Sequence, residues 1–185
     1  MAEINLVQAV SLALARAMAE DGSVIVLGED VGVDGGVFRA SEGLFARFGA
    51  ERVIDTPLAE AAIAGISIGL AAQGFRPVAE IQFTGFMYPD IDQLANHASR
   101  LRTRTRGRLT CPMVLRSPCG GGIRAPEHHS ESPEAISRIY SGPAGHHPFI
   151  AASRLWPAPR GSPRPGSGCL SRADAALSLA AGRGR

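Results

Sequence analysis

The chain has 185 residues, 45% of them hydrophobic, with a net charge of +2 at neutral pH. That is long enough for one domain with its own core, and so even a charge balance points to neither a nucleic acid nor an anionic membrane surface as partner. No run is apolar enough to span a bilayer, residues 1–5 lack the charged and apolar blocks of a signal peptide, and the three cysteines lack metal or redox spacing, so a cytoplasmic protein is expected.

In chain order, residues 4–20 carry apolar side chains at helical spacing (Ile4, Val7, Leu12, Leu14, Met18), and Asp21-Gly22 closes that helix. Residues 24–27, all apolar, read as a buried strand. A polar, glycine-rich loop follows from Gly28 through Gly36. Residues 41–48 suit a short helix and 52–54 a short strand. Thr56 is placed to cap a helix with Pro57 at its first position, running to about Gln73 and stopped by Gly74. Residues 78–83 read as a strand, 89–106 as a helix with an arginine-rich second half, and 113–115 as a strand leading into a loop over 117–131. Strand and helix alternate throughout, which predicts an α/β fold, a parallel sheet with helices on both faces.

Residues 136–185 differ. They hold six of the 13 prolines, seven of the 19 arginines and one acidic residue, Asp174. With neither a period of two nor one of 3.6, they are expected to be a disordered or low-complexity tail. All 19 basic residues of the chain are arginine, as a GC-rich genome would dictate.

Several residues carry candidate chemistry. Glu60 opens a run with Gly65-Ile66 and Gly69-Leu70 behind it, and Ala61, Ala62, Ile63 and Ala64 surround it with apolar side chains. A carboxyl group in such a place has a raised pKa and forms strong hydrogen bonds. Alone it reads first as an acid favoured by a helix dipole, and the glycine spacing behind it reverses that preference. Glycine inside a helix costs about 1 kcal/mol against alanine, so Gly65 and Gly69 imply a close neighbour: either the domain's own sheet or a helix across a subunit interface. Phe86 lies beyond the carboxyl end of a predicted strand, where α/β sheets bind ligands, and suits either stacking on a ring or the core. The loop 120–132 holds His128 and His129. Adjacent histidines cannot easily share one metal ion; a histidine donating to a substrate oxygen fits better, beside the alternative of a solvated loop. The chain has no Gly-Asp-Gly motif for a magnesium-bound diphosphate, no P-loop and no dinucleotide fingerprint.

As a set, residues 27–32, 35–39, 55–60, 76–77 with 80–83, 88–89 with 92–93, and 126–130 resemble the beta subunit of the E1 component of 2-oxo acid dehydrogenase complexes, of the pyruvate or branched-chain type. The resemblance covers residues 1–135. It implies a transketolase-like, thiamine-diphosphate-binding pyrimidine domain, incomplete at its C-terminal end. It implies that Glu60 is the carboxylate that activates the cofactor, that Leu58, Gln82 and Phe86 line the pyrimidine with Glu29 close by, and that His129 is the active-site histidine. It further implies an alpha subunit that holds Mg²⁺ and diphosphate, an α2β2 heterotetramer, and a lipoyl-bearing E2 acyltransferase as acceptor. The chain departs from the family at Ile136. Codons for the tail, read one nucleotide later with free synonymous choices, give a strand, turns and an alanine-rich helix similar to the family's next segment, so a frame slip near Ala135–Ile136 is expected.

Overall fold

The structure, a computed structural model, describes residues 4–120, 124–133, 136 and 149–153. Helix α1 (Leu6–Glu20) starts at a capping box, in which the Asn5 side chain accepts from the Gln8 amide and the Gln8 side chain accepts from the Asn5 amide. Strand β1 (Val24–Gly28) is buried along its whole length. Helix α2 (Leu44–Phe48), strand β2 (Val53–Asp55), helix α3 (Glu60–Ala72) and strand β3 (Arg76–Glu80) follow. Beyond a 3-10 turn at Thr84–Met87, the chain is helical as α4 (Asp90–Asp92), a π-helical segment (Gln93–Ala98) and α5 (Leu101–Arg104). Strand β4 (Val114–Cys119), a second 3-10 turn at Glu127–Ser130 and strand β5 (Phe149–Ser153) complete the described elements.

The described strands form one parallel sheet in the order β2-β1-β3-β4-β5. Alternation along β1 and β3 sends side chains to two cores. Val24, Val26 and Val78 pack with Val53 against α1 and α2, through Leu14, Met18 and Leu44. Leu27 and Ala79 pack with Leu115 against α3 and the π-helical segment, through Ile63, Ala64, Ile68 and Ala98. Helices therefore cover both faces, as expected.

Five boundaries differ from the expectation, each for a local reason. Thr56 does not cap α3. Its amide donates to the Gly28 carbonyl (3.0 Å), so the backbone is still extended there, and α3 begins at Glu60 after Ala59, which makes no capping bond. Strand β3 starts earlier than residue 78. The missing N–H of Pro77 falls on the side of β4, where pairing begins only at Val78–Val114, so a proline costs nothing at that point. The same strand ends at Glu80 rather than Phe83, because Thr84 already turns and donates its hydroxyl to the Pro118 carbonyl. The helix expected over 89–106 is broken. The Ser99 amide bonds Leu94 (3.0 Å), five residues back, its hydroxyl bonds Ala95 (2.7 Å), and the regular ladder restarts only at Leu101. Strand β4 runs through Ser117 to Cys119, where a loop was expected.

Residues 149–153 also depart from the expected tail, since β5 pairs with β4 from Leu115–Phe149 to Cys119–Ser153. The remainder of 136–185, Ile136 apart, lies outside the described residues.

Candidate functional site

The carboxyl ends of β1, β2, β3 and β4 feed the four segments that hold the candidate residues. After β1, the loop over residues 29–43 is tied down at several points. The Gly32 amide donates to Asp55 (2.6 Å), the Ser41 hydroxyl donates to the Val31 carbonyl (2.8 Å), and the Gly36 amide donates to the Asp30 carbonyl (2.7 Å). Gly36, at φ +80, lies against the Glu80 carboxylate, and a Cβ there would stand 3.0 Å from Oε1. Glu80 is buried and paired with Arg116 of β4.

Glu29 starts this loop. It is buried, and its Oε1 has no hydrogen-bond partner among the described residues. Burial raises its pKa, helped by the charges of Glu60 and Asp30. Glu60, half-buried at the first position of α3, is thus close enough for the two carboxyl groups to feel each other. Asp90, at the start of α4, is a third member. It is fully buried, neither carboxylate oxygen has a partner among the described residues, and burial with the charge of Glu60 pushes its pKa up to about 7. Sequence reasoning missed Asp90, because an acid at a helix start ordinarily signals nothing beyond the dipole.

The second group is aromatic. The Phe86 ring meets Phe83 edge-on (5.6 Å between centroids) and His129 edge-on (5.0 Å). Phe83 also meets His129 (4.6 Å) and Phe38 of the β1 loop (5.5 Å). Phe83 is the hub of this cluster and was not singled out from sequence. Only the fold brings Phe38 and His129 to it. Gln82 reaches toward Asp30, with a long 3.5 Å contact from Nε2 to Oδ2, so the aromatic group and the carboxyl group share the β1 loop. His129 is held by a 3.3 Å contact from Nδ1 to the Pro126 carbonyl. Leu58 stands out from these residues, 79% exposed in the segment between β2 and α3.

The small-residue helix is less tightly packed than its glycines imply. A Cβ on Gly65 would meet Gln93 at an ordinary 3.5 Å, and one on Gly69 would meet nothing within 4 Å among the described residues. Ala62, Ile66 and Gly69 form one exposed stripe on α3. Tight packing on the domain's own sheet therefore does not explain Gly69.

A single parallel sheet covered on both faces, with carboxyl and aromatic groups at its carboxyl edge, matches one family by sequence as well. Residues 2–152 match the transketolase pyrimidine-binding domain. The chain belongs to that family. Its members similar to this chain include a pyruvate dehydrogenase E1 component subunit beta of Acholeplasma laidlawii, 53% identical over 136 residues, which cover 74% of this chain and 42% of that protein. A 3-methyl-2-oxobutanoate dehydrogenase subunit beta of Mycobacterium tuberculosis is 57% identical over 132 residues, 71% of this chain and 38% of the relative. The chain thus spans less than half the length of these curated relatives. Among solved structures, a split-gene transketolase, described as an inactive beta4 tetramer, superposes with a TM-score of 0.55 at 20% identity. It covers 72% of this chain and 39% of its own, and it supports the fold of the family.

Proposed function

We propose that this chain is the pyrimidine-binding part of the beta subunit of a thiamine-diphosphate-dependent 2-oxo acid dehydrogenase E1 component, with pyruvate as substrate. The observation that carries the reading is Glu60: a half-buried carboxyl at the start of α3 and the sheet's carboxyl edge, in a chain 53% identical to a pyruvate dehydrogenase E1 beta subunit. The branched-chain 2-oxo acid is the second reading, favoured by the 57% identity to the mycobacterial 3-methyl-2-oxobutanoate subunit.

The residues suit the cofactor's pyrimidine. An unpartnered, buried Glu29 Oε1 and the edge of Phe86 lie on the segments that flank Glu60. Thiamine diphosphate, when bound, supplies the nucleophilic carbon that decarboxylation of a 2-oxo acid needs. Glu60 would hold a proton at the pyrimidine nitrogen. Phe86, Leu58 and Gln82 orient the ring, Glu29 supports Glu60, and His129 donates to a substrate or lipoyl oxygen. Diphosphate and Mg²⁺ fall to an alpha subunit in an α2β2 heterotetramer, and the acyl group passes to a lipoyl-bearing E2. The compartment is the cytoplasm; among the described residues no helix is long and apolar enough to cross a membrane.

The test mixes the purified chain with an alpha subunit, thiamine diphosphate, Mg²⁺ and a 2-oxo acid. Decarboxylation that vanishes in Glu60→Ala supports the reading. Alpha binding without decarboxylation identifies a non-catalytic fragment that competes for the alpha subunit.

The frame slip near Ala135–Ile136 is part of the proposal. Identity with the Acholeplasma relative extends over 136 of 185 residues, although the family match runs on to residue 152. Resequencing the gene across codons 134–137 decides it: one restored base extends the beta subunit, and an intact printed frame sinks the slip.

A further inference from the structure

Beside the carboxyl and aromatic groups lies a side-chain network that the proposed chemistry does not use. Glu131 follows the histidine turn and meets three separate segments. Its Oε2 accepts from the Tyr88 hydroxyl (2.5 Å), which stands on the far side of the Thr84–Met87 turn. Its Oε1 lies 3.0 Å from Nδ1 of His128. Its carbonyl accepts from the Gly120 amide (3.2 Å), just beyond β4. The histidine turn also rests directly on Gly85, where any Cβ would overlap the His128 carbonyl oxygen.

An ionised carboxylate has only acceptors, so each of its neighbours must donate. Glu131 is held ionised: the Tyr88 hydroxyl first, then His128, keep its carboxyl below the usual range. Tyr88 correspondingly keeps its proton, its pKa raised by the same bond. Nδ1 of His128 must therefore carry the hydrogen, which leaves Nε2 as the free nitrogen of the neutral ring.

We propose that Glu131 is a positioning residue of the histidine turn: bridging Tyr88 and His128, it fixes His128 in its Nδ1–H tautomer and holds the turn that sets His129 against Phe83 and Phe86. The inference deepens the proposed function, because it concerns the site in which His129 is placed. It extends that reading to three residues, Tyr88, His128 and Glu131, that act through the orientation of a neighbour.

Nitrogen-15 spectra of the full chain with labelled histidine test it without cofactor or partner. The His128 signals are assigned by their loss in His128→Gln and read at a pH where the ring is seen to be neutral. The wild type is expected to show Nδ1–H. Glu131→Gln, whose amide keeps the shape but brings donors, is expected to shift His128 toward Nε2–H and to weaken the ring-current shifts of His129. Tyr88→Phe, which leaves the Glu131 carboxylate as an acceptor, is expected to keep His128 as Nδ1–H and to weaken the ring-current shifts of His129 by less. A wild-type His128 in the Nε2–H form overturns the proposal, as does a tautomer unchanged in Glu131→Gln. Failure of the cofactor reading looks different: the tautomer stays as stated while decarboxylation with the alpha subunit is absent.

Discussion

At the scale of single residues, burial governs the carboxyl groups around Glu60. Asp90 has no exposed surface, its carboxyl oxygens have no hydrogen-bond partner among the described residues, and its pKa is pushed up to about 7 by burial first and the charge of Glu60 second. An unfolded aspartate titrates near ~4. Below that value both states are protonated and Asp90 has no effect on stability. Between the two values the folded state keeps a proton that the unfolded state has lost, so stability falls as pH rises, and above about pH 7 the full cost is present. Asp90→Asn is therefore expected to stabilise the protein at pH 8 by roughly 2–4 kcal/mol and to leave it unchanged near pH 4. Urea unfolding at the two pH values measures this, and equal effects at both would contradict it.

At the scale of elements, one contact and one open face bear on the site. The first joins the turn at Thr84–Met87 to the turn at Glu127–Ser130, with the His128 carbonyl lying where a side chain on Gly85 would begin. Gly85→Ala is expected to push the histidine turn away, to cost roughly 1–3 kcal/mol on urea unfolding, and to remove the ring contacts of His129. The second is the exposed stripe of Ala62, Ile66 and Gly69 on α3. Gly69 is exposed and a Cβ there meets nothing within 4 Å among the described residues; Gly69→Leu also gains helix propensity, so folding by circular dichroism should be intact. If the stripe faces a second subunit, association with an alpha subunit should be lost in sedimentation velocity. Retained association would return Gly69 to an exposed position of no consequence.

At the scale of the whole molecule, buried Glu80 and half-buried Arg116 tie β3 to β4 and support the β1 loop through Gly36. Burial raises the pKa of Glu80, with Arg116 opposing it, and burial lowers that of Arg116. Arg116→Met leaves the Glu80 carboxyl without its counter-ion and is expected to cost about 3–5 kcal/mol, a large part of the roughly 5–15 kcal/mol that holds a domain folded. Adding Glu80→Gln should recover much of that loss, since the cost lies in the uncompensated charge. Thermal unfolding of the single and double variants compares them.

The order of elements was legible because it rests on local periodicity. The apolar run of β1, the helical spacing of α1 and the stop at Gly74 each depend on neighbours a few residues away. Some candidate residues stood out for the same reason, since Glu60 stands before its glycines and His128 and His129 adjoin in one short polar stretch, whereas Glu29, Leu58 and Gln82 came only with the family resemblance. The ends of β3 and the break in the helix over 90–104 were not, because they turn on Thr84 reaching Pro118 and on one displaced hydrogen bond at Ser99. Nor did composition reveal that residues 149–153 pair with β4, since an edge strand needs only a partner's free backbone groups. The sequence by itself determined the α/β class, the alternation that buries two helical layers, and the residue types at the sheet's carboxyl edge, all of which are properties of neighbours along the chain. Only the tertiary structure decided which carboxyl group is cut off from water, which ring lies against which, and that Glu131 reaches both Tyr88 and His128, because each depends on residues far apart in sequence meeting in space.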